Sequence, residues 1–137
     1  MVSAKLYTSN EEILYISKEI GNQGILLDEK RKDCLVCKAF DSGNQNKLYL
    51  ICSVNDSELW IHDVNQNRNE DYLLDVCIRM VLHYFFNQGR HQIVFQLNEE
   101  NRNLQEVCIR IGFTLVQKTS RSTKISIKDE QFYKNKC

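Results

Sequence analysis

Apolar residues in the second half of the chain recur at helical spacing in two segments that flank a strand-like run. The first segment, residues 69–87, has an apolar stripe formed by Leu73, Val76, Cys77, Met80, Val81 and Tyr84. Gly89 lies just past its end, where a glycine commonly terminates a helix. In the second segment, Asn98 or Asn101 can cap a helix that ends at Gly112 and has a stripe of Leu104, Val107, Cys108 and Ile111. Residues 92–97 between them have the composition of a strand. The pattern predicts a helix, a strand and a second helix.

The first half of the chain changes from helical to alternating periodicity. After a short strand at residues 5–8, Ser9 or Asn10 caps a helix that runs to about Gly21. Strand-like runs follow at residues 33–41, 47–54 and 58–64, separated by turn residues at hairpin spacing, and they predict an antiparallel meander. Residues 113–119 and 124–128 predict a final hairpin.

These elements predict an α/β protein with a mixed sheet of about six or seven strands and three helices. The chain contains no proline, internal repeat or low-complexity tract, so nothing in it marks a domain boundary. We therefore expect residues 1–137 to form a single domain, which is long enough to bury a core without disulfides.

The charge composition argues against a nucleic-acid partner. Lysine plus arginine and aspartate plus glutamate both number 18, and no long basic cluster occurs. The N-terminus lacks the basic and apolar regions of a signal peptide, and the apolar runs are far shorter than a membrane span. We expect a cytoplasmic protein with no membrane partner.

The six cysteines raise the question of a metal or redox site. Cys34 and Cys37 have the spacing of a zinc knuckle, but they lie in an apolar strand-like run, and no second pair or histidine motif follows. Cys77 and Cys108 fall on apolar helix faces, where a free thiol commonly packs as a small hydrophobe. We expect reduced, structural cysteines and no metal; a zinc or redox role for Cys34 and Cys37 is the alternative.

Residues 97–113 resemble the closing motif of the GNAT superfamily of acyl-CoA-dependent N-acetyltransferases. The motif matches at Leu97, Asn101, Arg110, Gly112 and Phe113. The predicted order of helices and strands is also similar to the GNAT fold. The resemblance implies a mixed sheet that splits between its fourth and fifth strands, with the acyl-CoA lying in the split.

The same resemblance places the cofactor's pyrophosphate at the loop before the long helix, where the family has a glycine-rich segment. Residues 65–74 contain no glycine, and Asp71 and Leu73 stand at the small positions when Arg68 is taken as the leading basic residue. Val64 and Asn101 complete the implied cofactor positions. Acidic and bulky side chains there predict acetyl-CoA binding that is weak or absent. A capped helix start, whose acidic residues complement the helix dipole, explains the segment without a cofactor and is the preferred interpretation.

The resemblance also implies catalytic positions. Cys108 stands where the family commonly has a tyrosine that protonates the departing thiolate; it also continues an apolar stripe, which favours a core position. The base would be Glu58 or His62, which share a strand face with Trp60. An exposed sheet face or a satisfied polar cluster is the alternative.

Two functions follow from the resemblance and its departures. The first is transfer of an acetyl group from acetyl-CoA to an amine-bearing small molecule or peptide, with Cys108 or water as the acid. The second is a non-catalytic protein of this fold that has lost CoA binding and serves a protein partner or a homodimer.

Overall fold

A computed structural model describes residues 2–21, 33–43, 46–55, 58–66, 71–98 and 101–134, without the side chains of residues 63–66. The described helices are α1 (Asn10–Ile20), α2 (Asp71–Asn87), α3 (Arg102–Ile111) and α4 (Asp129–Lys134). The described strands are β1 (Val2–Tyr7), β2 (Cys34–Asp41), β3 (Lys47–Asn55), β4 (Glu58–Gln66), β5 (Gln92–Asn98), β6 (Thr114–Lys118) and β7 (Ser122–Lys128).

These strands form one mixed sheet in the order β1-β2-β3-β4-β5-β7-β6. Neighbouring strands are antiparallel except β4 and β5, which run parallel. The pairing of β4 with β5 extends only from Glu58 opposite Val94 to Trp60 opposite Gln96, although both strands continue. The two strands therefore part at their C-terminal ends, which confirms the predicted α/β fold with its split between the fourth and fifth strands.

A β-bulge interrupts the ladder between β3 and β4 where β4 leaves β5. Ile51 lies opposite Asp63 and Cys52 lies opposite Ile61, so His62 is an extra residue between two consecutive pairs. A bulge bends the strand that carries it, which accounts for the lost pairing with β5. The plain alternation predicted for residues 58–64 therefore ends at His62.

Helices pack against both faces of the sheet. The larger core joins α2, α3 and α4 to one face of the strands, with fully buried side chains that include Leu59, Phe95 and Ile125. On the other face, Ile16 and Ile20 of α1 pack against side chains from β1, β2 and β3, namely Tyr7, Val36, Tyr49 and Ile51. The sheet therefore separates two hydrophobic layers, and α1 belongs to the smaller one.

The described helices number four, and the sequence pattern predicted three. The additional helix, α4, begins at Asp129, whose carboxylate accepts a hydrogen bond of 2.7 Å from the Glu130 backbone N–H. Phe132 of α4 packs against Phe86 of α2 with ring centroids 5.6 Å apart. Six residues are too few to show a helical period in the sequence, which explains the error. The single-domain organisation of residues 1–137 stays a prediction.

Candidate functional site

Three polar side chains on neighbouring strands form a hydrogen-bonded group, which we call the Glu58 cluster: Glu58 of β4, Gln96 of β5 and Lys124 of β7. The Gln96 amide nitrogen donates to Glu58 Oε2 at 2.7 Å, and Lys124 Nζ donates to Glu58 Oε1 at 3.1 Å. The strand register brings these three side chains together, because Gln96 lies opposite Trp60 of β4 on one side and opposite Lys124 of β7 on the other. Both carboxylate oxygens of Glu58 thus have partners, while the Glu58 and Lys124 side chains stay 30% and 31% exposed.

Trp60 and His62 extend this polar face along β4. Trp60 is 36% exposed, whereas Leu59 and Ile61 are buried in the core. The Nε2 atom of His62 forms a hydrogen bond with the hydroxyl of Ser53, which lies opposite Trp60 in the ladder. Glu58, Trp60 and His62 therefore share the face that the alternation predicted, close to the point where β4 and β5 part.

Asp71 is the first residue of α2, and an ion pair connects it to the last turn of α3. Arg110 Nη2 donates to Asp71 Oδ2 at 2.9 Å. Hydrogen bonds from the Asn103 side chain and from Arg110 hold the pKa of the Asp71 carboxyl below its usual value. Beside the pair is a cavity of about 460 Å³ lined by Asp71, Tyr72, Asp75, Val76, Val107 and Arg110. A carboxylate thus stands at the helix N-terminus that the resemblance assigns to the pyrophosphate.

Two other candidate residues lie in the core. Leu73 is 2% exposed, and Cys108 has no exposed surface. Burial raises the pKa of the Cys108 thiol. A bound ligand cannot reach either side chain without rearrangement, which favours the core interpretation for both. The role of Cys108 as an acid and the place of Leu73 at the cofactor stay predictions.

The structure describes the remaining cofactor candidates only in part. Asn101 precedes α3 and accepts a backbone hydrogen bond of 3.1 Å from Gln105, but its side chain makes no capping hydrogen bond. The backbone of Val64 pairs with Leu50, and its side chain lies outside the described residues. Arg68 also lies outside them. The cofactor roles of these three residues stay predictions.

Sequence reasoning missed the partners of the two charged candidates. Gln96 interrupts the apolar run of β5, and this polar residue within a buried strand was an available signal. Lys124 lies 66 positions after Glu58, so only the strand register brings the two together. Likewise, Arg110 was recognised as a motif position but not as the partner of Asp71.

Other sequence features do not form a separate site in the described part of the chain. The five cysteines described there form no disulfide with one another, and all except Cys34 are buried. The same residues contain no group of histidine, cysteine, aspartate and glutamate that could hold a metal ion. None of the described helices combines the length and apolarity that crossing a bilayer requires.

Comparison of whole structures finds N-acetyltransferases. The chain superposes on an N-acetyltransferase from Staphylococcus aureus with a TM-score of 0.64 and 10% identity, covering 93% of this chain and 97% of that one. For the ribosomal-protein-S18-alanine N-acetyltransferase from Escherichia coli the TM-score is 0.62 at 9% identity, covering 93% and 94%. For the Campylobacter jejuni N-acetyltransferase PseH in complex with acetyl coenzyme A it is 0.61 at 10% identity, covering 94% and 99%.

The comparisons of the amino-acid sequence found no match, whereas the comparison of structures did. No protein-family model matches the chain. No curated protein matches it either. At identities near 10%, the structural likeness establishes the fold and leaves the activity to be argued from the site. The split sheet, the motif at residues 97–113 and these superpositions agree that the chain has the fold of the GNAT superfamily of N-acetyltransferases.

Proposed function

We propose that the protein is a GNAT-fold N-acetyltransferase that transfers an acetyl group from acetyl-CoA to the amine of a small molecule or peptide. The observation that carries the proposal is the parting of β4 and β5 beside a polar face that holds Glu58 and His62. A split between parallel strands exposes backbone N–H and C=O groups that can pair with the amide groups of an extended acyl-CoA, and the adjacent face supplies a proton acceptor.

The acceptor amine would approach across the polar face of β4. An amine is protonated near neutral pH, so a neighbouring group must take a proton before the nitrogen can attack the thioester carbonyl. His62 and Glu58 are the candidates for that base, and the exposed ring of Trp60 between them can pack against the acceptor. Because Cys108 is fully buried, water is the better candidate for protonating the departing thiolate.

The donor would have to displace the Asp71–Arg110 ion pair. Both side chains are substantially exposed, 43% for Asp71 and 61% for Arg110, and exposed pairs contribute only about 0–1 kcal/mol. Arg110 can therefore exchange the Asp71 carboxylate for a phosphate of the donor. The remaining Asp71 charge would repel that phosphate, which agrees with the expectation of weak acetyl-CoA binding.

Calorimetric titration of acetyl-CoA, followed by a thiol-release assay with a panel of amines and peptides, tests the proposal. Since a general base typically contributes a factor of about 100 to 10,000, we expect Glu58→Gln or His62→Gln to lower turnover by at least about 100-fold. Matched controls are Glu106→Gln on exposed α3 surface and His83→Gln on α2, which should leave turnover unchanged. Absence of binding and turnover would contradict the proposal.

The second candidate is the non-catalytic protein of the same fold. The Asp71–Arg110 pair and the absence of glycine from residues 65–74 favour it, because the resemblance assigns this part of the chain to the pyrophosphate, which needs small residues and no carboxylate there. This candidate predicts no heat of acetyl-CoA binding even for Asp71→Asn, whereas the acetyltransferase predicts that this variant binds more tightly.

A further inference from the structure

Lys124 presents a primary amine to one of the two candidate bases. Its Nζ lies 3.1 Å from Glu58 Oε1, and the other carboxylate oxygen of Glu58 is held by Gln96 at 2.7 Å. An ammonium group held on a carboxylate is the arrangement that the proposed reaction requires of its acceptor. We propose that Lys124 is itself an acetyl acceptor, so that the protein acetylates its own Lys124 from acetyl-CoA. This inference rests on the proposed function.

The position of Lys124 relative to the split supports the inference. Gln96 and Trp60 form the last pair between β4 and β5, and Gln96 also lies directly opposite Lys124. Lys124 is therefore one strand away from the point where the split begins. It lies on the face that also carries Trp60, as its ion pair to Glu58 requires. A thioester at the mouth of the split would meet this amine from the solvent side.

Accessibility distinguishes Lys124 from another lysine that is bonded to a carboxylate. Lys38 Nζ lies 2.7 Å from Glu19 Oε2, but its side chain is only 8% exposed and lies over the rings of Phe40 and Tyr49 beside α1. The Lys124 side chain is 31% exposed. Each of the two amines is thus paired with a carboxylate, but an external thioester can reach only the amine of Lys124.

The step balances without a further reactant. The Lys124 ammonium gives one proton to Glu58, and its nitrogen forms a bond to the acetyl carbonyl carbon. The carbon–sulfur bond of acetyl-CoA then breaks, and the thiolate takes up the second proton that the nitrogen loses as the amide forms, and leaves as free CoA. The amide nitrogen retains one hydrogen, and the proton on Glu58 passes to solvent.

Acetylation of Lys124 would also change the interactions of Glu58. The modified Lys124 carries no positive charge, so the Glu58 carboxylate loses its ion pair and keeps the hydrogen bond from Gln96. An external ammonium can then occupy the position that the Lys124 ammonium held.

The test is a time course of the full chain with acetyl-CoA, analysed by peptide mass spectrometry at Lys124, Lys118 and Lys128. Lys118 and Lys128 are exposed and report the uncatalysed background. We expect Lys124 to be acetylated faster than both, and Glu58→Gln to slow Lys124 by about 100-fold or more without changing the other two. A thermal melt checks that Glu58→Gln is folded.

Acetylation of Lys124 at the background rate, or a rate that Glu58→Gln does not change, would overturn the inference. Turnover of external amines by the wild type separates this failure from a failure of the proposed function. If the wild type transfers acetyl groups to external amines but never acetylates Lys124, the inference alone is wrong. If calorimetry detects no acetyl-CoA binding, both are wrong.

Discussion

At the scale of single residues, burial separates two explanations of the cysteine within the closing motif. Cys108 has no exposed surface, and its burial raises the thiol pKa. A proton donor to a departing thiolate has to contact the ligand, whereas the Cys108 thiol is buried among other core residues. We expect Cys108→Ala to keep full turnover and to lower the free energy of unfolding by about 1 kcal/mol through lost packing. A large loss of turnover with unchanged melting temperature would restore the catalytic role.

The last residue of the α3 stripe should be among the most sensitive to truncation. Ile111 is 1% exposed and packs in the larger core with Leu104 and Val107. We expect Ile111→Ala to lower the free energy of unfolding by about 2–4 kcal/mol, because it loses transfer energy and leaves a cavity. Denaturant titration measures this change. Ile109→Ala is the matched control, since Ile109 is 44% exposed, and an equal loss in both variants would contradict the packing argument.

Sequence reasoning placed single residues well where periodicity decided their environment and poorly where a distant partner did. The stripe of α3 and the shared face of Glu58, Trp60 and His62 follow from local spacing. The ion pairs of Glu58 with Lys124 and of Asp71 with Arg110 depend on strand register and helix packing. Nothing in a single sequence encodes those distances directly.

At the scale of elements, α1 begins with a complete capping box that should make its stability depend on pH. The Ser9 hydroxyl accepts from the Glu12 N–H at 3.2 Å, and the Glu12 carboxylate accepts from the Ser9 N–H at 3.1 Å. These backbone hydrogen bonds, first from Ser9 and then from Thr8, lower the pKa of Glu12. The ionised carboxylate therefore stabilises α1 above the pKa of an unfolded glutamate, and this contribution is lost as pH falls through the lower folded value.

We accordingly expect Glu12→Gln to be less stable than the wild type at neutral pH and equally stable in acid. Glutamine keeps the hydrogen-bonding shape but removes the charge near the helix N-terminus. Thermal unfolding across the acidic range measures the difference. Glu11→Gln removes a charge from the same turn and spares the capping box, so its effect should be smaller. A stability difference that persists in strong acid would show that charge is not the cause.

Local pattern failed to predict two features, the β-bulge beside the candidate site and the short helix α4. The meander of β2, β3 and β4 and the helices α2 and α3 were all predicted, because each has a clear period and turn residues at its ends. The bulge at His62 was not, since it depends on how β3 and β4 align. α4 was missed because its six residues are too short for a period and are held by Phe132 against Phe86.

At the scale of the whole molecule, the Asp71–Arg110 pair joins the two helices that flank the split and should set the affinity for a donor. We expect acetyl-CoA to bind the wild type weakly, with a dissociation constant above about 100 µM, because a phosphate would meet the Asp71 carboxylate at the start of α2. Asp71→Asn removes that charge and frees Arg110 from its ion pair. Calorimetry should therefore find tighter binding for the variant.

Asp75→Asn is the matched control for that variant. Asp75 lies one turn further along α2 and pairs with Arg79 of the same helix at 2.7 Å, so its removal leaves the contact between α2 and α3 intact. Equal gains in both variants would mean that the overall charge of α2, and not the interhelical pair, limits binding. The variant changes only the charge at position 71 and leaves Leu73 in place, because Leu73 is a core residue. Replacing Leu73 with glycine as well would cost several kcal/mol of stability, about 2–5 for loss of a buried leucine side chain, and would obscure any gain in affinity.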